Sequence, residues 1–391
     1  MNRFLSSLFG TAFVLTAALT PALAAPTENT RESQSDAAGG DPKPPPPKIV
    51  RPPGFFEKYL ITVANPVAAE VGLKILRAGG SAVDAAIAVQ LILTLVEPQS
   101  SGIGGGAFMI HYNHAEKKLV TYDGRETAPS AARGNLFIDQ TGLPMKFIEA
   151  VVGGRAVGVP GVMRMLEMAH HDHGRLRWSE LFAPAIKLAE EGFKVSPRLY
   201  QMLVDDEFMR QEEEARNYFY PKDGIPRALG ELLQNPALAE TYRALASDGA
   251  DAFYKGEIPK AIVEAVRAHE NPGFLSEADF ANYEAKKREP ICRAYRKFRI
   301  CGAPPPTSGG LTTLETMALL ERFDLPSMEP GSAEAAHLIT EASRLAFADR
   351  DLYIADSDFI DVPSRTLLSS SYISQRVEQI QENRTMIKAK A

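Results

Sequence analysis

Arg125 stands in Asp123-Gly124-Arg125-Glu126-Thr127-Ala128-Pro129, directly after a strand-like run at 119 to 122. A strand that ends in a glycine and an arginine puts a guanidinium fork at a sheet edge, where it can hold a carboxylate through two parallel N–H···O bonds. The competing reading is a surface ion pair of Arg125 with Glu126 or Asp123. Ser308, in Pro304-Pro305-Pro306-Thr307-Ser308-Gly309-Gly310, is a candidate nucleophile only if a base and an oxyanion hole stand beside it. Its surroundings do not fit the Gly-x-Ser-x-Gly elbow, so a rigid loop whose glycines admit a second backbone is the better reading.

Three further patterns invite chemistry and fail on context. Gly102 to Gly106 superficially matches a dinucleotide fingerprint, but here a helix precedes and a strand follows, the reverse of the order that seats phosphate on a helix N-terminus. His170-His171-Asp172-His173 offers zinc-type ligands, yet consecutive positions at a helix end point in different directions and suit a solvated C-terminus. Asp349, Asp351, Asp356, Asp358 and Asp361 lack the glycine of a calcium loop. No metal site is expected. Cys292 and Cys301 are the two cysteines. A hairpin with a two-residue turn at Arg296-Lys297 would pair them directly, in the non-hydrogen-bonded position where Cα atoms lie about 4.5 Å apart and a disulfide can close. Two buried thiols are the alternative, because Arg-Lys is a poor sequence for a primed turn.

The elements that would carry these residues follow from periodicity. Val67, Val71, Ile75 and Leu76 mark a helix over 65–78 that stops at Gly79-Gly80. Ser81 caps a second helix, 82–96, apolar nearly all round and hence central in the core. A hairpin covers 107–112 and 119–122. Helices are expected from Gly161 to His173, over 178–191, through most of 197–246, over 258–269, after Ser276, and over 332–351. Strands are expected at 61–64, 107–124 and 290–303, giving a helix-rich α+β class.

The 391 residues are 45% hydrophobic and 24% charged, with a formal charge of −6, which argues against nucleic-acid binding and fits a soluble globular chain. Residues 1–24 have the three parts of an export signal: Arg3, an apolar run from Leu8 to Leu19, and Ala22-Leu23-Ala24. Cleavage is expected near Ala24 or Ala25, with a periplasmic or secreted product and no membrane association afterwards. Residues 25–54, with Pro44 to Pro47, read as a disordered, partly polyproline II lead-in to a domain over 55–391.

Asn65-Pro66, Gly79 to Ala86, Glu97 to Gly106, Asp123 to Glu126, Gly158-Val159-Pro160-Gly161 and the Pro304 to Gly310 loop, in this order, resemble the large subunit of γ-glutamyltransferase, also called glutathione hydrolase. The resemblance runs from about Tyr59 to Leu368. It implies an N-terminal nucleophile hydrolase, an αββα sandwich completed by a small subunit cut from the same precursor. It implies a threonine at the start of that subunit whose own α-amine is the general base, a γ-glutamyl acyl-enzyme resolved by water or an amine, and no cofactor. The α-carboxylate-binding arginine of the family falls on Arg125, with Glu126 beside it, as substrate-binding residues. No Thr-Thr-His or Thr-Ser-His occurs here, and Thr312-Thr313 is followed by Leu314 inside an expected helix. These 391 residues are therefore expected to hold no catalytic nucleophile, to need a small-subunit partner, and to be silent alone. An acylase of the same family with another specificity, or a non-catalytic binding protein, are the alternatives.

Overall fold

The computed structural model describes residues 56–391; the expected export signal and proline-rich lead-in lie outside the described residues. Helices α1 (Pro66–Arg77) and α2 (Ala82–Val96) lead into strands β1 (Ala107–Asn113) and β2 (Lys118–Gly124). Next come α3 (Phe147–Val151), α4 (Val162–His173), α5 (Trp178–Glu191), β3 (Phe193–Lys194), α6 (Pro197–Asp205), α7 (Glu213–Phe219) and β4 (Leu232–Leu233). Helices α8 (Pro236–Asp248), α9 (Asp251–Tyr254), α10 (Glu257–Ala268) and α11 (Glu277–Ala281) precede β5 (Lys286–Arg288), β6 (Ile291–Tyr295) and β7 (Phe298–Gly302). The chain closes with α12 (Gly309–Leu320), α13 (Ala333–Tyr353), α14 (Ser364–Leu367) and α15 (Ser370–Val377).

Helix α2 is the centre of the larger core. Ile87, Leu91 and Ile92 are fully buried, with Phe182 of α5 and Tyr242 of α8 in the same cluster. Each such side chain contributes about 1.5–3 kcal/mol by leaving water. The start of α2 is a capping box: Ser81 Oγ accepts from the Asp84 amide at 3.0 Å while Asp84 Oδ2 accepts from the Ser81 amide at 2.7 Å. The same Asp84 oxygen accepts the amides of Arg175 and Leu176, tying the turn after α4 to the head of α2. A second, smaller cluster (Leu319, Leu338, Leu345, Ile373) joins α12, α13 and α15.

The main sheet is antiparallel in the order β1-β2-β5. Its register sets Asp123 opposite Lys286, Tyr122 opposite Lys287 and Thr121 opposite Arg288. Alternation then sorts the side chains. Tyr122 and Lys287 share the face that meets α4, whereas Thr121, Asp123, Lys286 and Arg288 share the other. That second face continues on β1 through Ile110 and Tyr112, which are 45% and 54% exposed.

The hairpin β6-β7 has the register counted from the sequence, Cys292 opposite Cys301 and Tyr295 opposite Phe298. The Arg296-Lys297 turn closes because Arg296 adopts a left-handed φ of +52° and its amide donates to Glu321 Oε1. The two sulfurs are bonded, with Cα atoms 4.1 Å apart. The strand expected at 61–64 is not formed: this stretch is irregular, with a bend at Ala64, and Ile61 and Val63 pack on the core as loop residues. Three short strands, β3, β4 and β5, lie in regions expected to be helical or loop; each is only two or three residues long and exists by pairing with a distant partner.

Candidate functional site

Arg125 follows β2 directly, where the ladder no longer holds the chain, and two side chains take over. Asp123 Oδ1 accepts the Arg125 amide at 2.9 Å, and Tyr283 Oη donates to the Arg125 carbonyl at 2.7 Å. The next residues are pinned by a two-way backbone bridge between Thr127 and Val159. Glycines make this crossing narrow enough. A Cβ at Gly106 would collide with the Glu126 carboxylate and the Gly124 carbonyl, and a Cβ at Gly161 with the Tyr283 hydroxyl and that same carbonyl. The glycine run, the Asp-Gly-Arg-Glu segment and the Gly158 to Gly161 segment, far apart in sequence, thus meet around one arginine.

The guanidinium of Arg125 remains 61% exposed and donates to Glu126 Oε2 at 2.8 Å. It opens into a cleft lined also by Glu126, Tyr283, Lys286, Arg288, Pro306 and Asp358. Pro306 comes from the proline loop, whose Pro305–Pro306 peptide is cis. Asp358 accepts from Arg288 at 3.0 and 2.6 Å and from Lys286 at 2.6 Å. The hydrogen bonds from Arg288 and then Lys286 hold its carboxyl far below the usual range, and the bond to Asp358 pushes the Arg288 guanidinium up correspondingly. Burial, ahead of the charges of Tyr254, Asp123 and Glu126, pushes the Tyr283 phenol well up, so it stays a neutral donor to the Arg125 carbonyl. Most of the residues lining the cleft are charged, and the exposed Arg125 fork among them is suited to a carboxylate.

Other sequence candidates fall elsewhere. Ser308 Oγ accepts from Arg350 Nε at 3.0 Å, and among the described residues no histidine or carboxylate bonds to it, so it is held as a loop residue. Thr312 and Thr313 lie inside α12. The residues of the histidine cluster at the end of α4 diverge: His170 bonds the Leu176 carbonyl, His171 is exposed, and His173 stacks on His111 and meets Tyr122 Oη at 2.8 Å. Asp172 is engaged by Tyr122 and Lys287, whose hydrogen bonds outweigh burial and lower its pKa. Among the described residues no group of three or more such side chains could hold a metal ion. Of the acidic run, Asp349 pairs with Arg376, Asp351 with Arg350 and Asp358 with Arg288 and Lys286.

Of the residues lining this cleft, sequence reasoning singled out Arg125 and Glu126 but not Tyr283, Lys286, Arg288 or Asp358. The one available signal was the cationic run Lys286-Lys287-Arg288, which becomes visible as a strand only once its pairing with β2 is known.

A family model described as gamma-glutamyltranspeptidase matches residues 68–391. The glutathione hydrolase proenzyme of Bacillus subtilis (strain 168) is 36% identical over 350 residues, 87% of this chain and 59% of the relative. The acylase ACY 1 proenzyme of Pseudomonas sp. (strain SE83) is 34% identical over 329 residues, 83% of this chain and 58% of the relative. This chain thus spans about three fifths of the length of these curated relatives. The crystal structure of Helicobacter pylori gamma-glutamyltranspeptidase superposes with a TM-score of 0.82 at 32% identity, over 86% of this chain and 95% of that chain. Among the described residues no helix is long and apolar enough to cross a membrane.

Proposed function

The chain belongs to the gamma-glutamyltranspeptidase family and has its N-terminal nucleophile hydrolase fold, mixed helix and strand with 48% helix, and on that premise we propose that it is the large-subunit part of an exported enzyme that cleaves γ-glutamyl amides such as glutathione. Arg125 grips the α-carboxylate of the glutamyl group bidentately, releasing its contact with Glu126 as the ligand enters. Glu126 stays beside it as a polar wall. The γ-amide then points away from β2 toward a threonine supplied by a small subunit, whose N-terminal amine takes the hydroxyl proton as the acyl bond forms and gives it to the departing amine as the amide C–N bond breaks. Water or an amine acceptor resolves the acyl-enzyme, and no cofactor takes part.

The observation that carries this reading is Arg125 itself: a solvent-facing fork whose backbone is clamped on both sides, at the mouth of a charged cleft. The subunit assignment is supported by the sheet face opposite α4, which offers exposed Ile110 and Tyr112 to a second layer. Export is supported by the signal-like residues 1–24, and an oxidising destination agrees with the Cys292–Cys301 bond.

The test is hydrolysis of a γ-glutamyl anilide by the protein purified with whatever subunit accompanies it. A KM that rises in Arg125→Ala supports the reading. The acylase relative favours a second one, and turnover of a glutaryl amide, which lacks the α-amino acid head, with indifference to Arg125 would select it.

A further inference from the structure

If Arg125 holds the substrate carboxylate, as proposed above, its aim depends on a backbone that no strand ladder fixes. Asp123 supplies the fixing group, and Asp123 is itself 6% exposed, a buried charge that needs a partner of its own. Its second oxygen accepts from Arg288 Nε at 2.7 Å. Arg288 directs its terminal nitrogens the other way, to Asp358 on the loop after α13. A continuous chain of charge-assisted bonds therefore runs from the Arg125 amide through Asp123 and Arg288 to Asp358, with Lys286 completing two positive and two negative charges.

We propose that Arg288 is a positioning residue for Arg125, acting through Asp123, and that it couples the substrate-gripping turn to the loop that bears Asp358 across the cleft. The register makes the arrangement specific: Arg288 lies opposite Thr121 on the face it shares with Asp123, a diagonal neighbour two residues along. Only a guanidinium serves it, because Nε meets one carboxylate while the two terminal nitrogens meet another. A lysine ammonium is a single point and must choose. Without Arg288 the Asp123 carboxylate turns toward water or Lys286, and the Arg125 amide loses its acceptor.

The first readout does not depend on the function. Hydrogen exchange at the Arg125 amide, followed in the full chain, should quicken about tenfold in Arg288→Gln and in Arg288→Lys, the factor expected when a charge-assisted hydrogen bond is lost. Asp358→Asn should quicken it less, and amides of β6 and β7 should keep wild-type rates. The second readout uses the complex that turns over a γ-glutamyl anilide. Arg288→Lys should raise KM about tenfold with kcat nearly unchanged, since Arg125 grips ground state and transition state alike. A merely structural role would lower the active fraction and leave KM alone. Wild-type exchange at Arg125 in a folded Arg288→Gln, or an unchanged KM in Arg288→Lys, overturns the proposal; if the Arg288 variants do not fold, wild-type exchange in Asp358→Asn does so. A wild-type complex inert toward γ-glutamyl anilides would contradict the functional reading only, the exchange result still deciding the coupling.

Discussion

Replacing Glu315 by glutamine should stabilise the protein at neutral and alkaline pH and abolish a pH slope that the wild type carries. Glu315 lies on α12 with no exposed surface, and neither of its oxygens meets a donor among the described residues. Its neighbour is the Asp349 carboxylate, already engaged by Arg376 at 3.0 Å and by Tyr372 Oη at 2.9 Å. Burial first, then the neighbouring Asp349 carboxylate, push the Glu315 carboxyl up to about 10. It is therefore protonated in the folded protein at pH 7. The unfolded chain releases that proton above the ordinary value of 4.5, so between about pH 5 and the folded value the native state binds one proton more. Stability then falls as pH rises, by about 1.4 kcal/mol per pH unit, or about 3 kcal/mol from pH 6 to pH 8. Glutamine keeps the shape and has nothing to ionise. Urea titrations followed by far-UV circular dichroism at pH 6, 7 and 8 should give a gap between Glu315→Gln and wild type that widens by roughly that slope. Parallel wild-type and variant stabilities across this range would refute the reasoning, because they would mean that Glu315 binds no extra proton on folding.

Arg125→Ala should raise KM for a γ-glutamyl substrate in the active complex about 10–100-fold, the range for a lost hydrogen-bonded charge at a partly exposed site, and steady-state kinetics will show it. Tyr283→Phe removes the donor to the Arg125 carbonyl and should cost about 1 kcal/mol in urea unfolding, with a smaller KM increase than Arg125→Ala. Cys292→Ser with Cys301→Ser opens a loop with a sequence separation of 9 and should cost about 2.5 kcal/mol by the loop-entropy relation, measurable as a lower denaturation midpoint that wild type reproduces under reducing conditions.

Where a pattern was local, the sequence was readable to the residue. Ser81 and Asp84 announce α2, the turn at Arg296-Lys297 fixes the β6-β7 register, and Trp178 to Glu191 is a helix at the expected bounds. What stayed hidden was non-local pairing. Lys286 to Arg288 carries no alternation that marks a strand; it is one because β2 lies alongside, and that pairing alone brings Arg288 to Asp123. Tyr283 has an ordinary loop context and acquires its role by reaching Arg125, 158 positions away in sequence. Residues 61–64 fail in the opposite sense, apolar and β-branched enough for a strand but irregular, with a bend at Ala64. Arg125 and Glu126 were legible because their neighbours in the chain, a strand end and a glycine, are also their neighbours in space.

Intact-mass measurement on the protein isolated from its native exported fraction tests the central claim most directly. A second chain of about 20 kDa, the size of a small domain, beginning with threonine and travelling with this one in a complex that hydrolyses a γ-glutamyl anilide, is the predicted result. A chain that runs alone, or a partner that does not begin with threonine, would contradict the account of this protein as the substrate-gripping half of a γ-glutamyl-cleaving enzyme.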